Sequence, residues 1–218
     1  MDKYKIAVPI IGPSMDDALR DIDQAESLGV DIIELRLDCI SKPNLEQLLK
    51  HSRLKKIATN RIVYEGGRFE GPEYKMVALL QEAVNLGVEY VDMELNYFNQ
   101  LAIPRNTTQL IVSYHHFKKT PEHLEKIYEM IVKKSPDVVK IATMAQTPHD
   151  SLRMLNLVAN AEWEIIGLCM GQDGIVTRVY GPVLGAYLTF ASLPGKQSAP
   201  GQLTVEELRE CWKRLKIE

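Results

Sequence analysis

The sequence predicts an α/β protein of one domain, a closed (β/α)8 TIM barrel running over residues 1–218. Three observations carry that expectation. Eight short apolar runs, several rich in Val and Ile as buried parallel strands are, alternate with helix-like patterns over 218 residues. That is close to the roughly 250 residues typical of such a barrel. A segment that ends a helix and enters a strand, Leu28-Gly29-Val30-Asp31-Ile32-Ile33-Glu34-Leu35, is echoed by Leu86-Gly87-Val88-Glu89-Tyr90-Val91-Asp92-Met93, as repeated βα units would give. The turn after the first run, Ile11-Gly12-Pro13-Ser14, lacks the Gly-rich fingerprint of a doubly wound open sheet, which is the alternative.

In order, strands are expected at 5–10, 32–38, 56–61, 90–95, 109–117, 138–144, 164–170 and 187–192. The helices between them have readable starts. Thr120-Pro121 and Thr147-Pro148 each offer an N-cap followed by proline at the first helical position. Thr204 with Glu207 three residues on makes a capping box for the last helix. Leu124, Ile127, Tyr128 and Ile131 keep the spacing of one helical face.

Composition narrows the partners. With 45% hydrophobic and 25% charged residues the chain resembles an ordinary soluble protein. A net charge of -3 gives no reason to expect nucleic acid. No apolar run approaches the roughly 20 residues of a membrane helix, and no signal peptide is expected. Cys39, Cys169 and Cys211 are odd in number and form no CxxC pair, which predicts reduced thiols in a cytoplasmic protein rather than a disulfide framework or a zinc site.

Candidate chemistry follows from strand alternation. In the second strand Ile33, Leu35 and Leu37 share one face and must meet the helices, so Glu34, Arg36 and Asp38 point into the barrel. These charges form either a structural ion-pair cluster or a polar substrate site; barrel chemistry at C-terminal strand ends favours the site. Lys140 sits in the otherwise apolar Val138-Val139-Lys140-Ile141-Ala142, either snorkelling or held inside with a partner. Desolvation favours a neutral amine, the nucleophile that forms a Schiff base with a ketone.

The fifth strand ends Ser113-Tyr114-His115-His116-Phe117, and successive residues face opposite ways. One inward histidine beside Lys140 would serve as general acid and base, or be a satisfied core residue; a metal site fits the geometry less well. Glu65-Gly66-Gly67 after the third strand suggests a sharp loop over the mouth. Gly171-Gln172-Asp173-Gly174 is a plain turn or, less favoured, a phosphate cradle, and Arg178 can grip a carboxylate. The Pro/Gly/Ser-rich stretch 194–202 is either an inert connection or a lid that is mobile until ligand closes it.

Together these segments resemble type I 3-dehydroquinate dehydratase, over nearly the whole chain and in the family's order. The matching pieces are Glu34-Leu35-Arg36-Leu37-Asp38, Arg61 with Glu65-Gly66-Gly67, the His115 strand, Lys140-Ile141-Ala142, Arg178, Phe190 and the closing Ser198-Ala199-Pro200-Gly201-Gln202. The resemblance implies a lyase of the shikimate pathway that makes aromatic amino acids. It assigns imine formation with 3-dehydroquinate to Lys140, proton transfer to His115 and orientation of that histidine to Glu65. Arg178 would hold the carboxylate, with Ser198 and Gln202 closing over it and Phe190 lining the site. Glu34, Arg36 and Arg61 would recognise ring hydroxyls. It implies no metal or cofactor, and a homodimer. The sequence departs from the family pattern in its few residues before the first strand, in Pro9, and in His116 where aspartate is common. Two rival readings are a class I aldolase using 171–174 for a sugar phosphate, and a barrel that binds a cyclic carboxylate without turnover.

Overall fold

The computed structural model describes residues 3–98 and 107–217. Eight strands form one parallel sheet: β1 (Ile6–Ile10), β2 (Ile32–Arg36), β3 (Lys55–Thr59), β4 (Tyr90–Glu94), β5 (Gln109–His116), β6 (Val138–Met144), β7 (Ile165–Met170) and β8 (Thr189–Phe190). Each pairs with its neighbour in sequence from β1 to β7, and β8 returns to pair with β1. The last gap, between β7 and β8, is spanned by the Tyr187 N–H donating to Ile165 O at 2.8 Å. The result is the expected barrel, nearly closed.

The helices α1 (Met15–Ser27), α2 (Leu45–Lys50), α3 (Glu73–Asn85), α4 (Leu124–Val132), α5 (Pro148–Ala159), α6 (Ile175–Tyr180) and α7 (Val205–Leu215) lie between strands or after β8. The α7 capping box forms as expected: Glu207 N–H donates to Thr204 Oγ1 at 3.2 Å and Thr204 N–H to Glu207 Oε2 at 2.8 Å. Pro148 opens α5, and the Asp150 carboxylate accepts from the Thr147 N–H at 3.3 Å. The expectation at Thr120 is corrected. Helix α4 begins at Leu124, because the Thr120 hydroxyl turns inward to Met144 O and Thr143 Oγ1, each at 2.9 Å.

Strand alternation divides the core into two layers. Ile33, Leu35, Leu37, Val91, Met93, Val112 and Ile141 pack outward with helix residues such as Ile22, Leu80 and Met154. Ala7, Ile32, Ile57, Tyr90, Ile111, Val138, Ile166 and Leu188 fill the inside and form an apolar floor. The next inward residues toward the C-terminal ends of β2 to β6 are polar (Glu34, Thr59, Asp92, Ser113 and Lys140), so the same alternation that builds the floor presents charge at the mouth. β7 and β8 continue apolar with Leu168 and Phe190.

The repeat noticed in the sequence has a structural counterpart. Asp31 Oδ2 accepts from Ile6 N at 2.8 Å, and its repeat partner Glu89 accepts from Lys56 N at 3.0 Å. Asp137 does the same for Leu110 N at 2.7 Å. In each case a carboxylate just before an even-numbered strand satisfies an N–H at the start of the preceding strand.

Candidate active site

Lys140 points inward from the middle of β6 and is 5% exposed. Its Nζ lies 2.9 Å from Glu34 Oε1 and 2.7 Å from Asp92 Oδ2, and 4.6 Å from the centre of the Phe190 ring. Glu34 and Asp92 occupy equivalent positions in the two sequence repeats. The repeat therefore delivers two carboxylates to one amine.

Asp92 is held from three sides. Besides Lys140, Arg61 Nη2 lies 2.7 Å from its Oδ2, and Ser113 Oγ donates to Oδ1 at 2.6 Å. Burial opposes its ionisation, but the Arg61 and Lys140 cations win and hold the carboxyl well below its ordinary value. Arg61 also donates to Ser113 Oγ at 2.8 Å and meets Glu94 at 3.1 Å and Glu65 at 4.0 Å. Its guanidinium thus braces the acidic wall.

His115 ends β5 with its Nδ1 2.9 Å from Glu65 Oε2, and the same oxygen accepts the His115 backbone N–H at 3.2 Å. Nδ1 being committed, Nε2 is the ring nitrogen left for a ligand. Burial first, then the Arg61 and Lys140 charges, push the imidazole well below its ordinary value, so it is a neutral base at neutral pH. Burial likewise pushes the Glu65 carboxyl up to about 8, against the pull of Arg61. The loop that brings Glu65 in depends on its glycines. Gly66 adopts φ 77 and a Cβ there would meet the Phe117 ring at 2.1 Å; a Cβ on Gly67 would meet Arg61 O at 1.9 Å.

The histidine pair separates as alternation requires. His116 faces away, its Nδ1 accepting from Lys118 N and Lys119 N at 3.3 and 3.2 Å. Asp38 corrects an expectation. Strand β2 ends at Arg36, and Asp38 turns out of the cavity to bind Arg36 Nε and Nη2 at 2.9 and 2.7 Å and the Arg61 and Arg68 N–H groups. It positions Arg36 rather than meeting a ligand.

Arg178 is 1% exposed on α6. Nη1 donates to Phe190 O at 3.3 Å, while Nε and Nη2 are buried without a hydrogen-bond partner among the described residues. Burial pushes this guanidinium down to about 10, still charged at neutral pH. An uncompensated buried cation is costly unless something supplies the anion.

The 194–202 stretch is folded over the mouth. Gln202 Oε1 accepts from Ser198 N and Oγ at 2.8 and 3.1 Å, and its Nε2 donates to Ala191 O at 3.1 Å. Lys196 is ion-paired with the buried Asp21 on α1. The Gly171 turn is filled by this loop: Gly171 N–H donates to Pro200 O at 3.0 Å, and a Cβ on Gly201 would lie 2.3 Å from Gly171 O. The turn is thus closed to a phosphate.

One cavity gathers these groups. Its wall includes Glu34, Arg36, Arg61, Glu65, His115, Lys140, Arg178, Phe190, Ser198 and Gln202, the residues to which the family resemblance gave a role; Asp38 is not among them. Sequence reasoning missed Asp92, Glu94 and Ser113, which lie behind that wall; the repeat that pairs Asp92 with Glu34 was the signal for the first. It also missed the apolar side made by Phe117, Ala142, Leu168 and Met170.

The sequence profile of type I 3-dehydroquinase matches residues 6–218. A 3-dehydroquinate dehydratase of Methanococcus maripaludis (strain C5) is 36% identical over 213 residues, covering 94% of this chain and 97% of that protein. The fold superposes on the 3-dehydroquinate dehydratase of Geobacillus kaustophilus with a TM-score of 0.87 at 25% identity, over 98% of this chain and 91% of that one. For the type I enzyme of Clostridium difficile, solved with covalently modified comenic acid, the TM-score is 0.86 at 27% identity, covering 99% and 93%. Sequence, fold and the assembled cavity agree: the chain belongs to the type I 3-dehydroquinase family.

Proposed function

We propose that this chain, acting as one catalytic domain, dehydrates 3-dehydroquinate to 3-dehydroshikimate through an imine on Lys140. The observation that carries the reading is the pairing, in one cavity, of a buried lysine amine with a buried guanidinium that lacks an anion. A ring that bears both a ketone and a carboxylate satisfies each. Family membership supplies the substrate.

In this reading Arg178 takes the carboxylate through two parallel hydrogen bonds, which fixes the ring. Lys140 Nζ attacks the ketone carbon, and the carbonyl oxygen leaves as water. The iminium withdraws electrons from the adjacent carbon, so a neutral imidazole suffices as base. His115 Nε2 takes that proton, giving an enamine. The enamine then expels the hydroxyl on the next carbon, protonated by His115, and a double bond forms between the two carbons. Water hydrolyses the imine and releases the enone. Glu65 keeps Nδ1 occupied and the ring oriented, while Ser198 and Gln202 roof the site and exclude water during the covalent steps. Glu34, Arg36 and Arg61 face the ring hydroxyls, and Phe190 lies beside the imine. No step requires a metal or other cofactor. We also infer a cytoplasmic homodimer: three free thiols support the compartment, and resemblance to the family supports the dimer.

The test is direct. Turnover of 3-dehydroquinate is followed by the ultraviolet absorbance of the conjugated product, and borohydride with substrate should fix an adduct on Lys140 found by peptide mass mapping. No product from the folded protein, or an adduct on a different lysine, would sink the reading.

A further inference from the structure

We propose that Asp92 is the permanent counter-ion of the Lys140 iminium, and that imine formation hands Glu34 over from Lys140 to a hydroxyl of the substrate ring. The inference rests on the imine reading above. An ammonium and a ketone give an iminium and water; the charge is conserved, but two N–H protons leave with the carbonyl oxygen. Lys140 Nζ starts with three N–H bonds and holds two carboxylates, Glu34 at 2.9 Å and Asp92 at 2.7 Å. The iminium keeps one N–H bond, and so can donate to one of them.

The surroundings decide which. Asp92 has a fully buried side chain, is pinned by Arg61 Nη2 at 2.7 Å and Ser113 Oγ at 2.6 Å, and does not line the cavity. Ser113 is fixed in turn by Arg61 Nη1 at 2.8 Å. Glu34 does line the cavity, and apart from Lys140 its Oε1 holds just the Thr59 hydroxyl, at 3.0 Å. Moving Asp92 would break an ion pair and a hydrogen bond with no ligand within reach. Turning Glu34 toward the cavity gives up, besides the Lys140 contact that the iminium itself vacates, the hydrogen bond from the Thr59 hydroxyl. A buried carboxylate that loses a donor must find another, and a ring hydroxyl is the donor that arrives with the ketone. The covalent step thereby becomes a specificity step: a ketone without that hydroxyl leaves Glu34 unpaired at the moment the imine forms.

The experiment compares two ketones by borohydride trapping on the full chain, scored by mass spectrometry. One is 3-dehydroshikimate; the other is 3-oxocyclohexane-1-carboxylate, which keeps the carboxylate and ketone but has no hydroxyl. Wild type should half-saturate at a concentration lower by about tenfold or more with the hydroxylated ring, the cost of one unmade charged hydrogen bond. Glu34→Leu should narrow the ratio between the two half-saturation values, with Arg36 and Arg61 still facing the hydroxyls, and should lower the maximal trapping rate less than Asp92→Asn does. Asp92→Asn should lower the maximal rate for both ketones alike, by about 100-fold or more, and preserve their ratio. Should Asp92→Asn fail to fold by circular dichroism, Ser113→Ala, which frees one side of Asp92, should show the same pattern more weakly. Wild type that treats the two ketones equally overturns the inference. So does Asp92→Asn narrowing the ratio, or Glu34→Leu cutting the rate as deeply as Asp92→Asn. Absence of any wild-type adduct is a different result, which removes the imine reading itself.

Discussion

Two adjacent histidines carry opposite expectations. His115→Ala should slow turnover by about 10²–10⁴-fold, the usual effect of removing an acid–base group, while still permitting borohydride capture on Lys140. His116→Ala should cost far less, because that ring accepts two backbone N–H groups outside the cavity. Steady-state kinetics of both variants check the facing; equal losses would contradict it. Glu65 gives a pH signature. Its carboxyl is raised from 4.5 to about 8, so the native state binds a proton that the unfolded chain releases. Stability from this group is fully present below 4.5 and is lost as pH rises through about 8. His115 is shifted the other way, below 6.5, so its contribution rises with pH and is complete above that value. Between pH 6.5 and 8 the Glu65 effect therefore stands alone. Urea unfolding across that window should show wild type losing stability relative to Glu65→Gln; parallel curves would refute the shift. At this scale the chemistry was legible wherever a polar residue broke an apolar strand, as Lys140 does. The acidic and apolar residues of Tyr90–Glu94 alternate as they would in a strand with one face in water, although all five are buried. Glu94 was therefore not legible, and Asp92 carried only its repeat with Glu34 as a signal. Their meaning depends on Arg61 and Lys140, which reach them from β6 and the end of β3.

Among the elements, strand centres followed the sequence and strand ends did not. β2 stops at Arg36 because Leu37 N–H turns to Leu35 O and Thr59 O, at 3.0 and 2.8 Å, and this rotates Asp38 off the inward face. Thr120 has the look of an N-cap, but its hydroxyl is better satisfied by the buried Met144 carbonyl. Both misreadings are tertiary overrides of sound local signals. The 194–202 loop is the element that brings Ser198, Ala199 and Gln202 to the cavity. Gly201 holds φ 71, and a Cβ there would lie 2.3 Å from Gly171 O. Gly201→Ala should therefore lift the loop from the Gly171 turn at a cost of about 1–2 kcal/mol in backbone strain, before the overlap is counted. Ser198 and Gln202 would lose their place over the cavity. Substrate KM should rise and trypsin cleavage after Lys196 should accelerate, while far-ultraviolet circular dichroism stays that of the barrel. Unchanged cleavage would show that the loop does not depend on this contact.

Taken whole, the barrel is polarised: an apolar floor, then a mouth carrying Arg36, Arg61, Lys140 and Arg178 against Glu34, Glu65, Asp92 and Glu94. Three of the four cations have carboxylate partners and Arg178 has none among the described residues. Function thus opposes stability at this position. Arg178→Met should stabilise the ligand-free protein by on the order of 1 kcal/mol or more in urea unfolding, because a buried cation is removed. The same change should weaken binding of the carboxylate product by at least about 30-fold, the loss of a charged hydrogen-bonded pair, measured by calorimetry. A destabilised variant that still binds would contradict the assignment of Arg178 to the substrate carboxylate.

The sequence by itself determined the barrel, the inward face of Glu34 and Arg36 and the odd position of Lys140. Those follow from local periodicity and from a charge out of place in an apolar strand, and both are written one segment at a time. The remaining site residues came from the resemblance of the ordered motifs to the family. Tertiary structure decided the pairings. Glu34 meets the lysine of β6 from β2, across the barrel, and Asp92 meets it from β4, two strands away, while Asp38 serves Arg36 instead of the cavity. Arg178 buries Nε and Nη2 beside the cavity with no protein partner among the described residues. Distances between strand ends depend on how the sheet curls, and burial depends on what covers the mouth; neither is a property of any single segment.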